Sequence, residues 1–126
     1  MSITFKNFDS NKELKAQREM FSLCFPETVG KNTEKIEHYN WKFHSFPNTP
    51  TSYEYVAYQD NQILGYYAAI PYQYKIDNEI LTAGMVCDVM THPNARGKGI
   101  FTKIGHHSTD DMKNNKVHFT IFRSNY

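Results

Sequence analysis

Val89-Met-Thr-His-Pro-Asn-Ala-Arg-Gly-Lys-Gly-Ile-Phe101 joins the end of an apolar run to the start of a helical one. Arg96, Gly97, Lys98 and Gly99 therefore fall between a buried strand and the first turn of a helix, where backbone N–H groups have no partner one turn earlier. Glycine lets such a backbone come close to a ligand, the helix dipole favours negative charge there, and the two cations add to it. The combination reads as an anion cradle, most naturally for a pyrophosphate; the alternative is a glycine-rich connection whose cations face solvent. Walker A requires a lysine directly after its last glycine, but Ile100 follows Gly99, and Gly97-x-Gly99 lacks the third glycine of the dinucleotide fingerprint.

Working outward, the run from Ile80 to Met90 is almost continuously apolar around Gly84, as a central strand buried on both faces would be. After the loop, Ile100, Phe101, Ile104, Ser108 and Met112 recur at helical spacing as far as Lys113, and Val117 to Phe122 reads as a strand. That strand–helix–strand unit has the length a parallel crossover needs.

Upstream, Tyr53 to Tyr58 alternates, the Asp60-Asn61 turn leads into Ile63 to Ile70, and Pro71 predicts a bend or bulge before Tyr72, Tyr74 and Ile76. Asp77-Asn78-Glu79 then turns the chain into the apolar run. Nearer the N-terminus, Ile3, Phe5 and Phe8 predict a short strand. Ser10 with Glu13 reads as a capping box for a helix reaching Pro26, and Asn32 or Thr33 caps a second helix carrying Ile36, Tyr39 and Phe43. Phe46-Pro47 ends that helix and Asn48 to Thr51 form a loop. The predicted order is β-α-α-β-β-β-α-β, an α/β fold with a mixed sheet, in one domain spanning residues 1–126.

The balance of 14 Lys+Arg against 13 Asp+Glu gives no basic run and no reason to expect nucleic acid or a membrane surface as partner. No stretch approaches the ~18 apolar residues of a membrane span, and the N-terminus lacks the pattern of a secretion signal, so a cytoplasmic protein is expected. Cys24 and Cys87 lie far apart without C-x-x-C spacing and are expected to be buried free thiols. His106-His107 with Asp110-Asp111 places its pairs on different faces of a helix, so no metal is predicted.

Arg96-Gly97-Lys98-Gly99-Ile100-Phe101 resembles the R/Q-x-x-G-x-G/A motif that follows the fourth strand in the GNAT superfamily of acyl-CoA N-acyltransferases. His92-Pro93 before it is often seen there, and Phe101 departs from the usual Gly or Ala. Trp41-Lys42-Phe43 with its Pro-containing loop, and the turn before Ile63-Leu64-Gly65, are similar to acyltransferases that accompany sugar- or polysaccharide-modifying enzymes. The resemblance covers essentially the whole chain and implies acetyl-CoA as cofactor. Arg96, Gly97, Lys98, Gly99, Ile100 and Phe101 would then hold the pyrophosphate, and the backbone of Val89, Met90 and Thr91 the pantetheine arm, much as an added strand. It also implies direct attack by a small-molecule amine, such as an amino sugar, with a backbone N–H near Val89 facing the developing oxyanion.

Histone-type members carry a Glu where this chain has Met85, so that type is not expected. Asp88, in an apolar run beside those residues, is the candidate base; the alternative is a structural Asp satisfied by neighbouring N–H groups. His92 is expected to shape the loop. Tyr66, Tyr67, Tyr72 and Tyr74 could line an acceptor cleft or simply alternate on a sheet. A full GNAT domain continues beyond the fifth strand with a helix and two strands, so the chain is expected to be truncated, with an exposed edge at Val117 to Phe122 inviting a homodimer or aggregation. A non-catalytic acyl-CoA-binding or interaction module is the alternative function.

Overall fold

The computed structural model describes residues 2–45 and 52–122. Strand β1 (Thr4–Asn7) precedes helix α1 (Ser10–Cys24) and helix α2 (Ile36–His44). Strands β2 (Tyr53–Gln59), β3 (Gln62–Ile76) and β4 (Glu79–Thr91) follow, then helix α3 (Ile100–Asn114) and strand β5 (Phe119–Phe122). The sheet runs β1-β2-β3-β4-β5, antiparallel except for the parallel β4–β5 pair across which α3 makes the crossover. The predicted order and mixed sheet are what the chain adopts.

Both hairpin turns follow from their residues. Asp60 and Asn61 have φ of 53° and 61°, and Asp77 and Asn78 have 49° and 67°. Short polar side chains tolerate this left-handed geometry, whose twist matches the flanking strands.

The helix starts differ from the sequence reading. Asp9, not Ser10, caps α1: its side chain accepts from the Asn11 N–H, and Glu13 Oε1 accepts from the Asp9 N–H at 2.8 Å. Asn32 and Thr33 lie in a separate 3-10 turn, and α2 begins only at Ile36, after an Lys35 that makes no side-chain cap. The Thr33 carbonyl is taken instead by Arg18 Nη1 at 3.0 Å, which ties the α1–α2 connection to α1. Phe46-Pro47 and the Asn48–Thr51 loop lie outside the described residues.

Pro71 does not bulge β3. It pairs in register with Gly84, whereas β2 reaches only as far as Ala69, so the ring faces a side with no described strand and costs no ladder hydrogen bond. The start of β4 is not buried on both faces either: residues Glu79 to Thr82 project from the layers of helix, and Ile80 is 67% exposed.

Helix α3 covers one face of the sheet, where Ile104, Ile100 and Met112 pack with Tyr55, Tyr67 and Val86. Helices α1 and α2 cover the other, where Met20, Tyr39 and Phe43 meet Val56, Tyr66 and Met90. No helix among the described residues is long and apolar enough to cross a membrane.

Candidate active site

The loop from Pro93 to Gly99 begins with a single 3-10 turn and ends as the N-cap of α3. Gly97 and Gly99 have φ of 84° and 73°, a backbone region that side chains disfavour, and an added Cβ at either would meet nothing within 4 Å. The strain, not crowding, selects glycine, and the space over the loop is open. The amides of residues 96–102 have no acceptor among the described residues. They sit at the positive end of a 15-residue helix, with exposed Arg96 and Lys98 beside them. A cavity of about 310 Å³ lies over this surface, lined by Thr91, Arg96, Gly97, Gly99, Ile100 and Phe101 among others.

Within the loop motif, Ile100 and Phe101 behave differently. Ile100 is 1% exposed and anchors α3 in the core, whereas Phe101 is 57% exposed and is not on the buried face to which its spacing assigned it. The bulky residue at the departing motif position is thus not packed into the core, and it lines the cavity over the loop. An added Cβ on Gly65 would stand 2.9 Å from Ile100 Cγ2, so this glycine is what lets the first turn of α3 sit down on β3.

Just before the loop, β4 carries a bulge. Ala68 pairs with Cys87 and Tyr66 with Met90, leaving Tyr67 alone opposite both Asp88 and Val89. Asp88 takes φ 53°, left-handed for a residue that is not glycine. The extra residue lets Cys87 and Asp88 both turn toward α1 and α2, while Val86 and Val89 pack on the α3 side. Lys42 Nζ of α2 donates to Asp88 Oδ1 at 2.8 Å, with the side chains 27% and 15% exposed. The described part of β5 pairs only with Ala83 to Val86, so residues 87–91 of β4 have no described strand on that side. There Met90 is buried, Val89 half-buried, and the Thr91 carbonyl accepts from Cys24 Sγ and Arg96 Nε, each at 3.4 Å.

The family model for an acetyltransferase (GNAT) domain matches residues 9–123. The chain belongs to the GNAT acetyltransferase family. No curated protein matches the sequence. The fold is similar to that of glucosamine-6-phosphate N-acetyltransferase from Arabidopsis thaliana, at 15% identity over 98% of this chain and 83% of that one, TM-score 0.70. A predicted acetyltransferase with acetyl-CoA from Clostridium acetobutylicum gives 18% identity over 98% and 81%, TM-score 0.74. A probable N-acyltransferase from Enterococcus faecalis gives 17% identity, with all of this chain on 30% of that one, TM-score 0.79.

In this GNAT chain a second polar group, missed in the sequence, lies under α2. Glu54 on β2 is buried; its Oε1 accepts from the Tyr39 and Tyr66 hydroxyls, each at 2.6 Å, and its Oε2 lies 3.6 Å from His44 Nε2. Burial pushes the Glu54 carboxyl above its ordinary range, against the two tyrosine donors that favour its charged form. The signal was present: Glu54 shares a strand phase with Val56, so an acid on an apolar stripe announced a buried carboxylate. Arg18 is also buried, donating through Nε to Gln17 Oε1 at 2.7 Å and lying over the Phe21 ring at 4.3 Å.

The other candidates separate. Tyr66 and Tyr67 are core residues on opposite faces rather than cleft walls, and Tyr72 and Tyr74 stand part-exposed on the projecting hairpin. His92 Nδ1 accepts from the Asn94 N–H and so shapes the loop. Cys24 and Cys87 are free thiols but only part-buried; burial pushes Cys87 up to about 12, too high for a thiolate nucleophile at neutral pH. His107 stacks on Phe5 and Asp111 accepts from the Tyr55 hydroxyl; among the described residues no three potential metal ligands converge. On α2, Trp41 is 67% exposed and lies against His38, with ring centroids 5.5 Å apart.

Proposed function

We propose that this GNAT chain transfers the acetyl group of acetyl-CoA to a primary amine of a small molecule, with amino sugars as the acceptor class. The carrying observation is the open, left-handed Gly97–Gly99 loop, whose amides lack acceptors beside the bulge of β4. Amides of residues 97–101, aided by Arg96 and Lys98, suit a pyrophosphate, and Phe101 contributes its N–H while its exposed side chain borders the cavity. The backbone of Val89, Met90 and Thr91 is the edge against which the pantetheine arm would lie. A glucosamine-6-phosphate N-acetyltransferase among the similar folds supports the amino-sugar reading.

A thioester supplies an acyl carbon already activated toward amines. A protonated alkyl amine, with pKa near ~10, has no lone pair to offer, so the enzyme must take a proton from it. Asp88 is the carboxylate assigned to that step, since the bulge turns it out of the strand's alternation. Asp88 passes one proton of the ammonium to solvent, the nitrogen attacks, a carbon–nitrogen bond forms, the carbon–sulfur bond breaks, and the second proton the nitrogen must shed goes to the CoA thiolate. An N–H near Val89 would face the oxyanion in between.

Calorimetric titration with acetyl-CoA, on wild type and on the Arg96→Ala, Lys98→Ala double variant, tests the cradle. Charge-assisted hydrogen bonds are each worth about 1.5–3 kcal/mol, so the double variant should bind on the order of 100-fold more weakly. Equal affinity in both proteins, or no binding by folded wild type, would remove the proposal's basis. Binding without acetylation of any primary amine in a panel would leave the non-catalytic module as the function.

A further inference from the structure

We infer that Lys42 is a positioning residue for acetyl transfer, holding one oxygen of Asp88 so that the other is presented to the acceptor nitrogen. This rests on the reading of Asp88 as the group that takes the amine proton.

The bulge creates the need for such a residue. A side chain in regular strand is steered by the pleat, but Asp88 is the additional residue of a two-against-one bulge in left-handed backbone, so no neighbour in the ladder fixes its direction. Lys42 supplies that direction from across the gap to α2, through one hydrogen bond of 2.8 Å to Oδ1. Asp88 Oδ2 accepts no hydrogen bond among the described residues. A carboxylate with one oxygen clamped and the other unengaged is arranged to receive an N–H.

The surroundings make the clamp specific. Arg18 and His38 also act on this region electrostatically, as does Tyr66 from β3. Arg18 is already committed to Gln17 and the Thr33 carbonyl, and the Tyr66 hydroxyl to Glu54. Burial, then Lys42, keep the His38 imidazole below its ordinary range, so it contributes no full charge at neutral pH. Lys42 is thus the cation free to orient Asp88. It occupies the turn of α2 that also carries exposed Trp41, and it lies outside the Arg96–Phe101 cradle. Its removal should therefore spare cofactor binding.

The test compares full-length wild type, Lys42→Arg and Lys42→Met. Three-bond NMR couplings about the Asp88 Cα–Cβ bond should report one rotamer in wild type and Lys42→Arg, and an average in Lys42→Met. In steady-state assays with acetyl-CoA and glucosamine, Lys42→Met should lose at least tenfold in kcat with little change in KM for acetyl-CoA, and Lys42→Arg should restore most of it. A single Asp88 rotamer in Lys42→Met overturns the inference, as does undiminished kcat in that variant or an equal loss in Lys42→Arg. If wild type binds acetyl-CoA yet acetylates neither glucosamine nor any other amine, the catalytic reading itself fails, and with it this role for Lys42, whatever the couplings show.

Discussion

The two faces of the sheet are built on different terms. Under α3 the buried contacts are almost wholly apolar, and the one buried polar residue there among those described, Ser108, returns its hydroxyl to the Ile104 carbonyl at 2.7 Å. Under α1 and α2 the chain buries Glu13, Gln17, Arg18 and Glu54 among the described residues, and Gln17 Nε2 has no hydrogen-bond partner there. Buried polar groups cost free energy unless fully satisfied, so the second face gives up stability that the first does not. The bulge turns Asp88 toward that second face. The α3 face holds the molecule together, and the α1–α2 face is where an arrangement was kept that packing alone would not choose.

The largest effect should come from the apolar face. Ile104 is fully buried against the sheet, and Ile104→Ala should cost about 2–5 kcal/mol, read as a drop in thermal midpoint. A loss below ~1 kcal/mol would mean that α3 is not the fold's main support, and the contrast between the faces would collapse.

Gly65→Ala sharpens the contrast where α3 meets β3. Its Cβ would press on the buried Ile100 side chain, and overpacking of this kind costs about 1–3 kcal/mol. Because Ile100 opens the helix whose first turn carries the proposed cradle, acetyl-CoA affinity should fall together with stability. Calorimetry and thermal melts on one preparation separate the two.

The smallest effect is a trend with pH. The folded-state pKa of Glu54 is raised, so the neutral acid is favoured in the fold; its stabilisation is full below the unfolded value and is lost as pH rises through the folded value. Glu54→Gln cannot ionise and keeps an oxygen for Tyr39 and Tyr66. Its melting temperature relative to wild type should therefore climb from about pH 4 to about pH 8. A difference that stays flat or falls would show that the fold tolerates the Glu54 charge.

Local signals made much of this readable. Asp60-Asn61 and Asp77-Asn78 announce hairpins because few residues accept their backbone angles, and the helices show through repeated apolar spacing. The Arg96–Phe101 loop could be singled out as a candidate because the residues that would carry its chemistry are neighbours in sequence. Pro71 was misread because a proline is disruptive only where a ladder bond is lost, and which strand stops short is a long-range fact. The bulge was invisible for a related reason: in a continuously apolar run, one extra residue leaves the pattern unchanged. Nor could spacing pair Lys42 with Asp88, which meet only after the sheet and α2 have assembled.

One feature of α2 offers a practical return. Trp41 is the chain's single tryptophan, stands two-thirds exposed, and is the immediate neighbour of Lys42. Its emission should begin at the red-shifted wavelength of a hydrated indole, so the protein carries a native optical reporter on the helix that also carries Lys42. An acceptor that binds against this helix would register as a blue shift or quench, without a label and in the same cuvette as the reaction.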